Sequence, residues 1–157
     1  MRSAYILLAF TAVLLPACKS TTNNVALVNN AASLPSSFNF DKMGFKVITS
    51  FINKKQGTMS TLYGNELALK AAGSGTDTIT TGEVFALVTW KQQADDHWFG
   101  AKIPADLLSV EYVKTGGGSN RISYQKFEGK NLVLSMDTAN NQVRIKYIVD
   151  QKPSVMP

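Results

Sequence analysis

The chain has 157 residues, 16 of them basic and 11 acidic, which gives a formal net charge of +5 at pH 7. This length is sufficient for one domain with a hydrophobic core. The basic side chains are scattered along the sequence, and Lys54 and Lys55 form the one adjacent pair. Because nucleic-acid binding needs a clustered basic patch, we expect no nucleic-acid partner.

The N-terminal sequence is typical of an exported lipoprotein. Arg2 precedes a mostly apolar run, residues 4–15, which suits the core of a signal peptide and is shorter than the ~20 residues of a membrane-spanning helix. The run leads into LPAC, residues 15–18, which resembles a bacterial lipobox. We therefore predict a signal peptide over residues 1–17 and lipid on Cys18. An ordinary secretory peptide cut nearby is the alternative.

Lipid on Cys18 predicts a membrane as a partner of this protein. Acyl chains contribute about 0.8 kcal/mol per buried methylene, so several chains on one cysteine anchor a protein firmly. Cys18 is the single cysteine of the chain, and a lone thiol outside the cytoplasm has few other uses. Lys19 follows it in place of aspartate, a pattern that in Gram-negative bacteria resembles sorting to the outer membrane, facing the periplasm.

The sequence divides the exported part of the chain into a tether and a domain. Residues 18–37 are rich in Ser, Thr, Asn and Ala and show no sustained hydrophobic period, which predicts a flexible tether. The tether is expected to join the lipid to one folded domain over residues 38–157.

The first half of the domain predicts a hairpin followed by a helix. Segment 45–56 is rich in β-branched and aromatic residues, and segment 58–64 is a plausible partner strand with the turn near Gly57. Asn65 can cap a short helix over residues 66–72, whose apolar residues recur at helical spacing.

The second half predicts a run of strands. Segment 83–90 has apolar residues at both odd and even positions, as in a central strand covered on both faces. Apolar and polar residues alternate most clearly in the last segment, which predicts a strand with one packed face. The further predicted strands are 107–115, 121–127, 131–137 and 143–150. The predicted fold class is therefore α+β, a mostly antiparallel β-sheet with one or two short helices.

The residue content limits the chemistry. With Cys18 assigned to lipid and His97 the single histidine, zinc sites of the Cys/His type and a Cys–His dyad are excluded. The segment ADDHW, residues 94–98, sets two carboxylates beside the imidazole. Neighbouring strand residues point to opposite faces, so three consecutive metal ligands would require a turn. We interpret this segment as a polar turn, with Asp95 or Asp96 orienting His97 as the alternative, and predict no metal site.

Two stretches of the sequence resemble the cytochrome P-460 domain family. They carry a Gly-Asn pair followed by an alanine, and then a glycine-led apolar strand that ends in Trp-Lys; the residues are Gly64, Asn65, Ala68, Gly82, Trp90 and Lys91. The resemblance covers residues 45–113 and implies an exported, antiparallel β-rich domain. In haem-bearing members a Cys-x-x-Cys-His sequence attaches the haem, and some members oxidise hydroxylamine. This chain has no such sequence, so those residues are not carried over.

Three interpretations of function remain. The first is a lipid-anchored binding or interaction domain without covalent haem, whose pocket is lined by Tyr63, Trp90, His97, Trp98 and Phe99. The second is an oxidoreductase that holds haem non-covalently, with His97 as the axial ligand. The third is a structural component of the cell envelope that has no small ligand. The sequence assigns no catalytic residue, and its few potential haem or metal ligands support no cofactor.

Overall fold

The computed structural model describes residues 29–75, 79–117, 122–137 and 139–154. Cys18 and the predicted signal peptide lie outside these residues. The described elements are β1 (Lys46–Asn53), β2 (Thr58–Gly64), α1 (Glu66–Ser74), β3 (Val84–Ala94), β4 (Lys102–Thr115), β5 (Ile122–Glu128), β6 (Val133–Leu134) and α2 (Asn141–Val149). The predicted class, α+β with a mostly antiparallel sheet, is confirmed.

The strands form a single antiparallel sheet in which each strand pairs with its neighbour in sequence, in the order β1 to β6. The predicted turn between β1 and β2 is present, and Gly57 occupies the left-handed region there with φ +63°. Strand β3 is central, as its apolar residues at both parities predict: Phe85, Ala86, Leu87 and Val88 are all buried. Each face of the sheet therefore needs a cover.

One face, here called the aromatic face, is covered by the chain that precedes β1. Phe38 and Phe40 pack there against Trp90 and Tyr112, and the rings of Phe40 and Tyr63 lie 4.7 Å apart. Part of this cover comes from residues 29–37, which the sequence assigns to the tether. The indole Nε1 of Trp90 donates a 2.8 Å hydrogen bond to the carbonyl of Ala32 in that segment. The packed structure thus includes residues before position 38.

The opposite face, here called the helical face, is covered by α1 and α2. Its buried sheet residues are Ile48, Leu62, Phe85, Leu87 and Val113. Ala68 and Ala72 of α1 pack against them, as do Ile145 and Ile148 of α2. No helix within the described ranges has the length and apolar character needed to cross a membrane.

The prediction of a strand over residues 143–150 is wrong, because the segment forms α2. Val143 and Tyr147 were expected on one packed face with Ile145, yet Val143 is 66% exposed. The buried residues are Ile145 and Ile148, three positions apart, with Val149 packed beside them. This spacing places them on one side of a helix, where they close the helical face.

The predicted strand over residues 131–137 is also shorter than expected. Pairing with β5 is limited to Val133 and Leu134. Leu132 adopts a positive φ of 48°, which ends the extended conformation on that side, and its side chain packs into the core of the aromatic face. The chain after β6 is then free to cross to the helical face and form α2.

Candidate functional site

The structure brings together two of the five residues predicted to line a pocket. Tyr63 and Trp90 both belong to the core of the aromatic face. His97, Trp98 and Phe99 lie instead on the turn between β3 and β4, where the His97 side chain is 89% exposed and the Trp98 residue 72% exposed. Trp98 and Phe99 therefore form neither core nor pocket wall.

The segment between β3 and β4 is a turn, as the sequence predicts, and its polar residues Asp95, Asp96 and His97 are followed by the exposed aromatic residues Trp98 and Phe99. The Asp95 carboxylate accepts a 2.8 Å hydrogen bond from the backbone N–H of His97, and its oxygen lies 3.5 Å from the His97 Nδ1. Asp95 N–H donates to the Ala101 carbonyl, which closes the turn. The alternative in which Asp95 orients the imidazole is compatible with this contact. No group of three potential metal ligands occurs among the described residues.

Haem ligation by His97 does not fit this arrangement. The imidazole projects from an exposed turn, and its neighbours Trp98 and Phe99 are exposed as well. A haem held without thioether bonds depends on a buried apolar cleft around its axial ligand, because burial of the ring supplies the affinity. The described residues around His97 provide no such cleft.

Tyr63 lines a small cavity of 230 Å³ at the edge of the aromatic face, together with Phe40 and Asp41. Burial of the phenol, and secondarily the Asp41 charge, raise the pKa of Tyr63 above its usual value. Both effects disfavour the phenolate. The phenol is therefore a neutral wall of this cavity rather than a reactive group.

A cavity of 320 Å³ lies on the helical face, beneath α2 and beside α1. We call it the Glu83 cavity. Its walls are apolar, and its exposed mouth is polar. The wall residues are Ile79, Phe85, Ile122, Ile145 and Val149, and the mouth residues are Gln142, Lys146, Asp150 and Lys152. At the mouth, Lys146 Nζ donates a 2.7 Å hydrogen bond to Asp150.

Glu83 is the single carboxylate among the buried residues of this cavity, and it is 1% exposed. Its Oε1 accepts a 2.8 Å hydrogen bond from the backbone N–H of Thr80. Its Oε2 has no hydrogen-bond partner and is the one such buried side-chain atom in the described chain. A buried polar atom without a partner costs about 1–3 kcal/mol, and more when it is charged, so a group that donates to Oε2 would be bound favourably.

Backbone and side-chain hydrogen bonds fix Glu83 at the start of β3. The Glu83 N–H donates to Thr115 Oγ1 over 2.8 Å, and the Thr115 N–H donates back to the Glu83 carbonyl over 2.9 Å. Thr115 Oγ1 in turn donates to the Thr80 carbonyl. The loop that donates to Oε1 and the strand that carries Glu83 are thus held by the same threonine of β4.

Several of the residues that carry the family resemblance build this corner of the molecule. Asn65 Oδ1 accepts from Ala68 N–H and from Val84 N–H, while its Nδ2 donates a 2.8 Å hydrogen bond to the Gly82 carbonyl. One side chain therefore caps α1 and fixes the start of β3. At Gly64 a Cβ atom would lie 2.8 Å from the Cβ of Ala68, so the close approach of α1 to β2 favours glycine at this position.

The other end of the helical face forms a second, polar concavity of 260 Å³, here called the hydroxyl groove. Ser60, Thr89 and Ser109 stand at one register across β2, β3 and β4, and the first two share a 3.0 Å hydrogen bond. These hydroxyls replace the apolar side chains found further along the same strands. The sheet face is therefore apolar beneath the helices and polar beyond them.

A buried ion pair separates the groove from the apolar core. Arg144 of α2 donates to both oxygens of Glu111, from Nε over 2.9 Å and from Nη2 over 2.7 Å. Tyr124 also donates to Glu111, over 2.6 Å. The Glu111 hydrogen bond raises the pKa of Arg144, and burial followed by the Glu111 hydrogen bond raises the pKa of Tyr124. The charged and hydroxyl groups of all three residues are hydrogen-bonded to one another, so the network anchors α2. The unpaired oxygen of Glu83 is therefore the stronger indication of a ligand site.

Glu83 is a candidate site residue that the sequence did not predict. In the sequence, Glu83 is a single acidic residue at the start of an apolar strand. A residue of this kind usually marks the exposed end of the strand. Burial of Glu83 depends on α2, and residues 143–150 were expected to form a strand. Had the spacing of Ile145, Ile148 and Val149 been taken as helical, a cover over the start of β3 could have been predicted.

No protein-family model matches this sequence, and comparison with curated proteins finds no significant match.

Proposed function

We propose that this protein is a lipid-anchored binding module of the cell envelope with a cytochrome P-460-like fold and without covalent haem. The lipobox at Cys18 supports the anchor, and Lys19 favours sorting to the outer membrane in a Gram-negative bacterium. The resemblance over residues 45–113 supports the fold family. We further propose that the ligand binds in the Glu83 cavity, which replaces the aromatic pocket expected from the sequence.

The observation that carries this proposal is the unpaired Oε2 of Glu83, a buried residue that lines this cavity beside apolar side chains. Ligand pockets are mostly apolar and contain a few placed polar groups. The volume of 320 Å³ is at the lower end of the range for ligand pockets, about 300–1,000 Å³. The proposed ligand is therefore small, with one ring or a short alkyl chain, and carries a hydrogen-bond donor.

A primary ammonium group is the donor that suits this site best. Burial of a carboxylate is costly unless it is paired, and a cationic donor supplies both the charge and the hydrogen bond. The apolar body of the ligand would contact Phe85, Ile122 and Ile145. The chain then functions as a receptor or carrier for a small hydrophobic amine.

Calorimetric titration with benzylamine tests this proposal. Benzyl methyl ether serves as the ligand control because it keeps the ring and lacks the donor. In Glu83→Gln the hydrogen bond from Thr80 is kept, and an amide N–H replaces the unpaired oxygen. Loss of one hydrogen bond to a charged group costs about 1.5–3 kcal/mol, so we expect benzylamine to bind at least tenfold more weakly to this variant.

Glu66→Gln is the matched protein control, because Glu66 is an exposed carboxylate at the start of α1 that pairs with Lys46 over 3.1 Å. We expect it to bind benzylamine as the wild type does. Equal affinities of wild type and Glu83→Gln, or equal binding of the amine and the ether, would overturn the assignment of Glu83.

A further inference from the structure

The turn between β3 and β4 presents two adjacent aromatic side chains to solvent. Trp98 is 72% exposed and Phe99 is fully exposed, whereas the next most exposed aromatic residue in the described chain, Tyr147, is 38% exposed. Single exposed apolar residues are normal on protein surfaces. Two neighbouring aromatic residues at the outermost point of a hairpin form an apolar tip, and such features mark interaction sites.

The conformation of the turn maintains this exposure. Asp95 N–H donates to the Ala101 carbonyl over 3.1 Å, and Ala101 N–H donates to the Trp98 carbonyl over 3.0 Å. Gly100 adopts φ +78°, a conformation that glycine takes at low cost and that turns the chain back into β4. The aromatic tip is therefore held away from the body of the domain by hydrogen bonds.

The N-terminal end of the described chain lies on the same hairpin. Asn29 Nδ2 donates a 2.9 Å hydrogen bond to the Pro104 carbonyl, and Leu107 N–H donates to the Ala31 carbonyl over 3.0 Å. Pro104 follows the turn by a few residues of β4, a distance of about 10 Å along a strand. Residue 29 thus enters the fold beside the aromatic tip.

The chain between the predicted lipid and this point is short. Ten residues lie between Cys18 and Asn29 in the sequence, and the 11 steps from Cys18 to Asn29 can span at most about 40 Å. If Cys18 carries lipid, as the proposed function requires, the bilayer surface lies within that distance of Asn29, which is bonded to Pro104 about 10 Å along β4 from the turn. Tethering at such a distance raises the effective concentration of lipid at the tip to the millimolar range.

We propose that the Trp98–Phe99 tip inserts into the interface of the bilayer that holds the lipid anchor. Tryptophan is enriched at membrane–water interfaces, where an aromatic body meets the acyl chains and a polar edge meets the headgroups. The exposed charges beside the tip are of opposite sign, Asp96 and Lys102, so attraction to anionic lipid is not the driving force. Insertion rests on apolar contact and is independent of the anionic lipid content.

This insertion fixes the orientation of the Glu83 cavity. Glu83 precedes the first residue of β3, and the tip follows the last residue of the same strand. The 11 residues of β3 extend about 36 Å. With the tip in the membrane, the cavity lies at the far end of the sheet, where its mouth is open to the aqueous compartment and its ligand can enter from solution.

The test uses the full lipidated chain in vesicles of phosphatidylethanolamine and phosphatidylglycerol in which part of the lipid carries brominated acyl chains. Bromine quenches tryptophan within contact distance. Trp90 is buried and bonded to Ala32, so it serves as the internal unquenched reference. We expect quenching in the wild type, its loss in Trp98→Phe, and a reduction in Phe99→Ser. The same quenching is expected without phosphatidylglycerol.

The outcomes separate this proposal from the proposed lipidation. Mass spectrometry showing no acyl group on Cys18 would remove the anchor and with it the insertion argued here. An acylated chain whose Trp98 fluorescence is not quenched would overturn insertion of the tip and leave the anchor intact. Quenching that persists in Trp98→Phe would place Trp90 rather than the tip near lipid and would also overturn the proposal.

Discussion

Replacement of Arg144 by methionine tests how α2 is held over the sheet. The substitution keeps the aliphatic stem and removes both hydrogen bonds to Glu111, whose side chain is 3% exposed. Removing one partner of a buried ion pair costs about 3–5 kcal/mol, because the other charge stays buried. The Arg144 side chain is 38% exposed, so water can reach part of the vacated space. We therefore expect a loss of about 2–3 kcal/mol in the free energy of unfolding.

Urea unfolding followed by tryptophan fluorescence measures this loss. Arg144→Lys keeps the charge and can reach one oxygen of Glu111, so a smaller loss of about 1 kcal/mol is expected. The double variant Glu111→Leu with Arg144→Met removes both charges and is expected to be more stable than Arg144→Met alone. An Arg144→Met variant within about 0.5 kcal/mol of wild type would refute the argument that this pair anchors α2.

Three further substitutions and one titration follow from the described contacts. Gly64→Ala should lower the free energy of unfolding by about 1–3 kcal/mol, since its Cβ would approach the Cβ of Ala68 to 2.8 Å. An added Cβ at Gly73 in α1 would meet no atom within 4 Å, so Gly73→Ala should stabilise the protein by up to about 1 kcal/mol. Chemical denaturation compares the two glycine variants, and equal effects on their stability would contradict the packing argument. His97→Ala should change the stability by less than about 0.5 kcal/mol and leave the absorption spectrum unchanged; loss of a Soret band would instead support haem ligation. Burial raises the pKa of every tyrosine in the described chain, so the native state retains protons that the unfolded chain releases above pH ~10. The tyrosine contribution to stability should therefore be constant below that pH and fall above it. Tyrosinate absorbance measured alongside unfolding checks this, and tyrosine ionisation with no loss of stability would contradict it; the residues are Tyr63, Tyr112, Tyr124 and Tyr147.

The sequence predicts the elements whose signals are local. The hairpin at Gly57 and the helix capped by Asn65 depend on turn and capping chemistry within a few residues, and both form where expected. The central position of β3 follows from its apolar residues at both parities. Each of these signals is independent of distant parts of the chain.

The errors arise where tertiary contacts decide. Apolar residues in segment 143–150 recur with a period of two, but Ile145 and Ile148 also fit the helical period. The Glu111 carboxylate that accepts hydrogen bonds from Arg144 is far away in sequence. The apolar character of Trp98 favoured the core, whereas the turn conformation exposes it. Burial of Glu83 could not be predicted because it requires α2 to be in place.

The most direct test of the Glu83 cavity is a methyl-detected NMR titration with benzylamine, which locates the binding site as well as detecting binding. The predicted result is a saturable shift of the Ile122, Ile145 and Val149 methyl signals in the wild-type protein, strongly weakened in Glu83→Gln. Shifts confined to methyl groups elsewhere, or shifts of equal size and midpoint in both proteins, would contradict a ligand site built around the unpaired carboxyl oxygen.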